Sequence, residues 1–252
     1  METSLHRDLK RLYAGEAAQC EVRLGRYRID AVVDGELIEV QHGPLAAIRN
    51  KVRKLLSQHR VRVVKPIIAS KQLIYLRREG GKVARKRLSP KRGKLLDLFD
   101  ELIHFTNVFP HPRLVLEVPL VEVEERRYPG HGRRRWRRDG DYQVEDQKLL
   151  TVQSQIRLAS AADLAALVSC PLPIPFHTAH IAAGLAIPRW SAQRIAYCLH
   201  RMGAWQQVGK AGNAWLYELT DATRDSAANW SPQRCINTGE RYRRRSASAR
   251  SR

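Results

Sequence analysis

Ile29 to Gln41 reads IDAVVDGELIEVQ, and this stretch decides the fold. Asp34-Gly35 separates two apolar runs, a strong signal for a two-residue hairpin turn. Asp30 falls on the first strand, Glu39 and Gln41 on the second. Side chains alternate along a strand, so Glu39 and Gln41 share one face while Ile38 and Val40 share the other. Two carboxylates and an amide then gather on one side of a small sheet. Hard oxygen ligands on rigid strands, with coordination positions left open, suit a divalent metal that activates water against a phosphodiester.

The flanks extend the pattern in both directions. Pro44 to His59 predicts a helix with Pro44 at its start and Leu45, Ile48, Val52, Leu55 and Leu56 as the buried stripe. Arg49, Lys51, Arg53 and Lys54 mostly face elsewhere. Val61 to Ile68 reads as a strand, with Gln72 to Leu76 as an edge strand. Ahead of the motif, Leu5 to Tyr13 reads as a helix and Cys20 to Leu24 as a strand. A bare Asp-x8-Glu-x-Gln recurs by chance, so the hairpin turn, the apolar flanks and the basic amphipathic helix carry the weight.

This arrangement resembles the PD-(D/E)XK nuclease superfamily, the restriction-endonuclease-like fold, whose core order is αβββαββ. The resemblance implies an α/β protein in which Asp30 and Glu39 occupy the motif's acidic positions and Gln41 stands where lysine is usual. Glutamine can position the attacking water but cannot offset charge in the transition state. The IEVQ here is similar to the Glu-x-Gln strand of competence-associated nucleases. By the same resemblance, Asp30 and Glu39 bind Mg2+ or Mn2+ with the Val40 carbonyl. An acidic residue of the first helix adds a ligand, either Glu2, the preferred candidate, or Asp8.

Composition bounds the partners. The chain has 252 residues, enough for two compact domains, with Lys+Arg 45 against Asp+Glu 25 and a net charge of +20. Such an excess suits a polyanion. No apolar run approaches a membrane span and no signal peptide opens the chain, so DNA is the expected partner rather than a membrane. The four cysteines are far apart, with no Cys-x-x-Cys. Free thiols in a reducing cytoplasm follow, and a zinc site does not. His177 and His180 lack companions of metal-ligand type.

Arg77 to Lys94 is a basic stretch that fits a hairpin followed by an exposed loop. Leu95 to Phe105 predicts an amphipathic helix. Leu114 to Val123 is strongly strand-like, and Pro119 predicts an edge strand or one broken in two. Arg133, Arg134, Arg135, Arg137 and Arg138 surround Trp136. This loop is either a phosphate grip with a stacking ring or a solvated segment.

Toward the C-terminus, Ala161 to Val168, Thr178 to Leu185 and Pro188 to Met202 read as helices, the last ended by Gly203. Trp205 to Val208 and Trp215 to Leu219 read as strands around Lys210-Ala211-Gly212-Asn213. Helix, turn, helix and a two-stranded wing make a winged helix. Arg189, Trp190, Ser191, Gln193 and Arg194 then approach bases or phosphates, with Lys210 and Asn213 on the backbone. Winged helices also dock proteins, so a protein partner or a homodimer stays open. From Asp221 onward the chain reads as a disordered basic tail. The expected division is a nuclease-like core over 1–78, a basic extension over 79–158, a winged helix over 159–220 and a tail over 221–252.

Residues 1–220 also resemble a bacterial family without an assigned activity. The similar segments are SLHRDLKRLYA, IEVQ, VRVVKPI, SPKRGK and AYCLHRMGA with VGKAGNAWLY. The expected activity is metal-dependent hydrolysis of DNA phosphodiester bonds. The alternative is a DNA-binding protein or regulator that keeps the nuclease fold without the chemistry.

Overall fold

The computed structural model describes residues 3–15, 18–130 and 141–229. Helix α1 (Ser4–Ala14) is capped by Thr3, whose side chain accepts the His6 N–H, and it buries Leu5 and Leu9 completely. Strands β1 (Gln19–Leu24), β2 (Tyr27–Val33) and β3 (Glu36–Val40) form an antiparallel meander. Asp34 and Gly35 both take positive φ, the conformation a type I′ hairpin turn demands. Helix α2 (Leu45–Leu55) buries Leu45, Val52 and Leu55 and carries the chain across to β4 (Arg60–Val64), which pairs parallel to β3.

Strand β5 (Ile67–Leu76), β6 (Val83–Leu88), a 3-10 turn at Leu95–Asp97, α3 (Leu98–Leu102), β7 (Leu114–Pro129) and β8 (Tyr142–Leu158) complete an eight-stranded mixed sheet. Strand β8 pairs along one edge of β7 from Leu116 to Pro129. The other edge of β7 is shared end to end, parallel to β4 over Leu114 to Glu117 and to β5 over Leu120 to Arg127. Several expectations are corrected here. Val61 to Ile68 is not one strand, because Lys65-Pro66 interrupts it. Gln72 to Leu76 is interior, flanked by β7 and β6. The αβββαββ order holds along the chain, but β7 pairs with both β4 and β5. Residues 79–158 supply three strands of the sheet instead of an appended extension.

Pro119 marks neither an edge nor a break in β7. The Glu117 carbonyl accepts the Lys65 N–H, so Pro119, two residues on, turns its backbone to the same edge. That position falls at the seam where β4 stops and β5 begins, and no ladder bond is lost.

Beyond the sheet come α4 (Ala161–Ala165), α5 (Thr178–Gly184), α6 (Arg189–Arg201), the hairpin β9 (Trp205–Ala211) and β10 (Ala214–Leu219), and α7 (Asp221–Asn229). Helix α7 corrects the reading of disorder from Asp221. Thr220 accepts the Thr223 N–H at its carbonyl, and Thr223 is buried. Residues 230–252 lie outside the described residues.

Helix α1 covers one sheet face with Ala31, Ile38, Val40, Val64, Val121, Val123, Leu149 and Val152 beneath it. The other face carries α2, α3 and the C-terminal helices in one continuous core running from Ile29 and Val63 through Phe99 to Leu199 and Trp205. No helix of the described residues is long and apolar enough to cross a membrane.

Candidate active site

Strands β2 and β3 pair only as far as Ala31 and Ile38 and part beyond them. Asp30 and Glu39 flank this opening. Asp30 Oδ2 accepts the Val40 N–H at 2.8 Å and lies 3.3 Å from His6 Nε2 of α1. Burial pushes the Asp30 carboxyl up, but His6 and the Val40 N–H outweigh it and hold the group below the usual carboxylate range.

Glu39 behaves oppositely. It is 5% exposed, and burial pushes its carboxyl up to about 7 although Lys51 draws it down. Lys51 Nζ of α2 lies 2.5 Å from Glu39 Oε1. That ion pair is the close partner of Oε1, and the Asp30 backbone also draws the carboxyl down. A buried carboxylate favours a neighbouring cation or a proton, and Lys51 supplies the first.

Gln41 follows β3 directly, its N–H on the Val64 carbonyl at 2.8 Å. Its side-chain amide donates to the Pro44 carbonyl at 2.9 Å, which ties one N–H of the NH2 group to the loop. Lys65, itself buried, braces that loop from below. It donates to Gly43 O at 2.7 Å and His42 O at 3.3 Å, and it pairs with Glu101 at 3.4 Å. Glu101 in turn accepts the Leu45 N–H at the start of α2. Burial lowers the Lys65 pKa, partly offset by Glu101.

Near the loop, Glu125 is held by Lys71 at 2.5 Å, by Gln147 at 2.6 Å and by Arg127. Burial raises its pKa, but these partners lower it by more, with a net downward shift. His42 is depressed by burial and by the charges of Lys65 and Lys71.

Asp30, Glu39, Val40 and Gln41 are thus brought to one strand end. Asp8 is not, since its carboxylate accepts the Leu149 N–H on the β8 side of α1. Glu2 lies outside the described residues, as do Arg134, Arg135 and Trp136. Arg49 is half-buried on α2, and the exposed Arg53 reaches Asn50. Arg189, Trp190, Gln193 and Arg194 are exposed on α6, and Lys210 and Asn213 on the hairpin. Arg194 meets Asp100 of α3 at 2.7 Å and covers the Trp190 ring.

His6 and Lys51 were missed by sequence reasoning. Lys51 does not face away with the other basic residues of α2: it flanks the buried stripe and turns toward Glu39. His6 likewise flanks Leu5 and Leu9. A polar residue beside the apolar stripe of each helix was the available signal.

Among the described residues no three His, Cys, Asp or Glu side chains converge into a metal-holding group. The chemistry of the donors present fits a hard divalent ion: two carboxylates, Asp30 and the buried Glu39, beside a strand-end backbone. Asp30 and Glu39 would hold it, with remaining positions filled by water.

The family model described as "Domain of unknown function (DUF8091)" matches residues 3–159. A Treponema pallidum (strain Nichols) protein, described as an uncharacterized protein, is 31% identical over 223 residues. That alignment covers 86% of this chain and 84% of the Treponema one. No solved structure matches.

Proposed function

The chain belongs to the family described as a domain of unknown function (DUF8091), and from that premise we propose that it is a metal-dependent hydrolase of DNA phosphodiester bonds. The reading takes its core as restriction-endonuclease-like and its C-terminal helices and hairpin as a winged helix. The antiparallel meander continued by a parallel β4 after a crossover helix supports the first assignment. The order α4, α5, α6, β9, β10 supports the second.

The observation that carries the reading is the buried Glu39 carboxylate, paired with Lys51 at 2.5 Å and close enough to Asp30 to feel its charge. Asp30 and Glu39 would hold Mg2+ or Mn2+, which would supply an acidified water and positive charge for the phosphate. The chain's own groups prepare that event. His6 and the Val40 N–H keep Asp30 ionised and oriented. Burial keeps Glu39 poised near neutrality. Lys51 provides the positive charge that Gln41 cannot, and it reaches the site from a helix instead of the strand.

The test is plasmid cleavage with Mg2+ or Mn2+ and with chelator. Metal-dependent nicking that Asp30→Ala and Glu39→Ala both lose is expected. Nicking that survives both substitutions overturns the assignment.

The bond from Gln41 to Pro44 favours a second reading, a DNA-binding protein that keeps the fold without cleavage. It predicts salt-sensitive binding with no response to metal or chelator.

A further inference from the structure

Helix α6 buries Ala192, Ile195, Ala196, Cys198 and Leu199 and turns a different chemistry outward. Trp190, Arg194, Tyr197 and Arg201 succeed one another at spacings of four, three and four, which sets them in one stripe along the helix. All four are exposed, Trp190 at 53% and Tyr197 at 46%. The stripe's first step is a direct contact, with the Arg194 guanidinium 4.7 Å above the Trp190 ring centre. Asp100 also meets Arg194, but both side chains are 43% exposed, and an ion pair open to water is worth little and yields readily to a phosphate. Helix α6 itself carries no Asp or Glu. The β9–β10 hairpin repeats the pairing, with Lys210 Nζ 4.3 Å over Trp215, a ring 44% exposed.

Exposed indoles and a phenol between cations are poorly matched to base edges in a major groove, which are read by hydrogen-bonding groups in bidentate geometry. They are well matched to unpaired nucleotides, whose bases offer open π-faces between regularly spaced phosphates. A protein groove also accepts aromatic residues, but the +20 charge of the chain and the lack of acid on α6 favour a polyanion.

We propose that the α6 stripe binds single-stranded DNA, Trp190 and Tyr197 stacking bases while Arg194 and Arg201 hold phosphates. The inference rests on the reading of the chain as a DNA-processing protein and deepens it by naming the substrate's form, DNA with an unpaired segment. Asp100 and Glu101 are neighbours on α3, and Glu101 braces the start of α2, so the stripe lies one short helix from the candidate site.

Fluorescence anisotropy on the full chain in chelator tests it, using a labelled oligothymidylate of about 20 nucleotides, a duplex of equal length and the matching oligouridylate. The thymidylate is expected to bind more tightly than the duplex. Trp190→Ala with Tyr197→Ala is expected to weaken the thymidylate about 10-fold or more, to leave the duplex within about twofold, and to be largely rescued by Phe at both positions. Tighter binding of duplex, equal losses on both forms, or no loss overturns the proposal, the last assigning the stripe to another class of partner. Preference for the uridylate overturns the assignment to DNA. Glu39→Ala separates the two claims. If wild-type protein cuts no DNA but the single-strand preference persists in both proteins, hydrolysis fails and this inference stands. Metal-dependent cutting with unaltered thymidylate binding by the double variant gives the reverse.

Discussion

Glu39 and Asp30 titrate in opposite directions, and the difference is measurable without any substrate. Between the ordinary carboxylate range and about 7, native Glu39 keeps a proton that the unfolded chain has released. Stability therefore falls as pH rises through that window. Asp30 is lowered, so its contribution is present above the unfolded value and is lost only as pH falls through the folded one. The windows do not overlap. Glu39→Gln is expected to flatten the dependence of the urea midpoint on pH between about 5 and 7, and an unchanged slope would show that Glu39 ionises normally. Lys51 has a separate readout. If it supplies charge to the reaction, Lys51→Met lowers the cleavage rate roughly 100-fold, as loss of a transition-state donor does, with little change in DNA affinity. A loss confined to affinity would make Lys51 a binding residue.

Strand β6 closes its side of the sheet with every residue exposed, and Arg85, Lys86 and Arg87 form its middle. Charge at a sheet edge keeps other chains from pairing there. Replacing all three with Thr is expected to leave the monomer folded but to produce concentration-dependent oligomers in light scattering. A strictly monomeric variant would reserve those charges for a ligand. The elements differ in how far they could be read from sequence. Asp34-Gly35, the stripe of α2 and the Gly203 stop of α6 are local signals, and local signals were legible. The place of β7 was not, because its neighbours β4, β5 and β8 are chosen by pairing between distant segments, and Pro119 is acceptable only at the seam that this pairing creates. Helix α7 was hidden by polar composition, since its fixing contacts are the Thr220 cap and a buried Thr223. The carboxylate pair was visible in IDAVVDGELIEVQ, whereas its companions His6 and Lys51 come from two helices whose approach no spacing encodes.

The family match ends at residue 159, but the core does not. Phe99 and Leu102 of α3 and Leu158 share one apolar cluster with Ile195, Cys198 and Leu199 of α6. Burial pushes the Cys198 thiol up to about 12, in keeping with its place against the Phe99 carbonyl. A chain cut after residue 159 is expected to aggregate or to lose several kcal/mol, because a face of α3 would meet water. A soluble fragment with the full chain's melting temperature would mean that the two parts are energetically separate. The seating of α1 has a consequence for biosynthesis. Its first turn is tied to Asp146 and its last to Gln155 through Tyr13, each pair 142 positions apart. On a ribosome adding about 5–20 residues per second, the earliest helix waits on the order of ten seconds for the strand that receives it. During that interval the contacts of α1 with Asp146 and Gln155 do not exist, so the seat that holds His6 beside Asp30 is completed only once translation has passed the second half of the sheet.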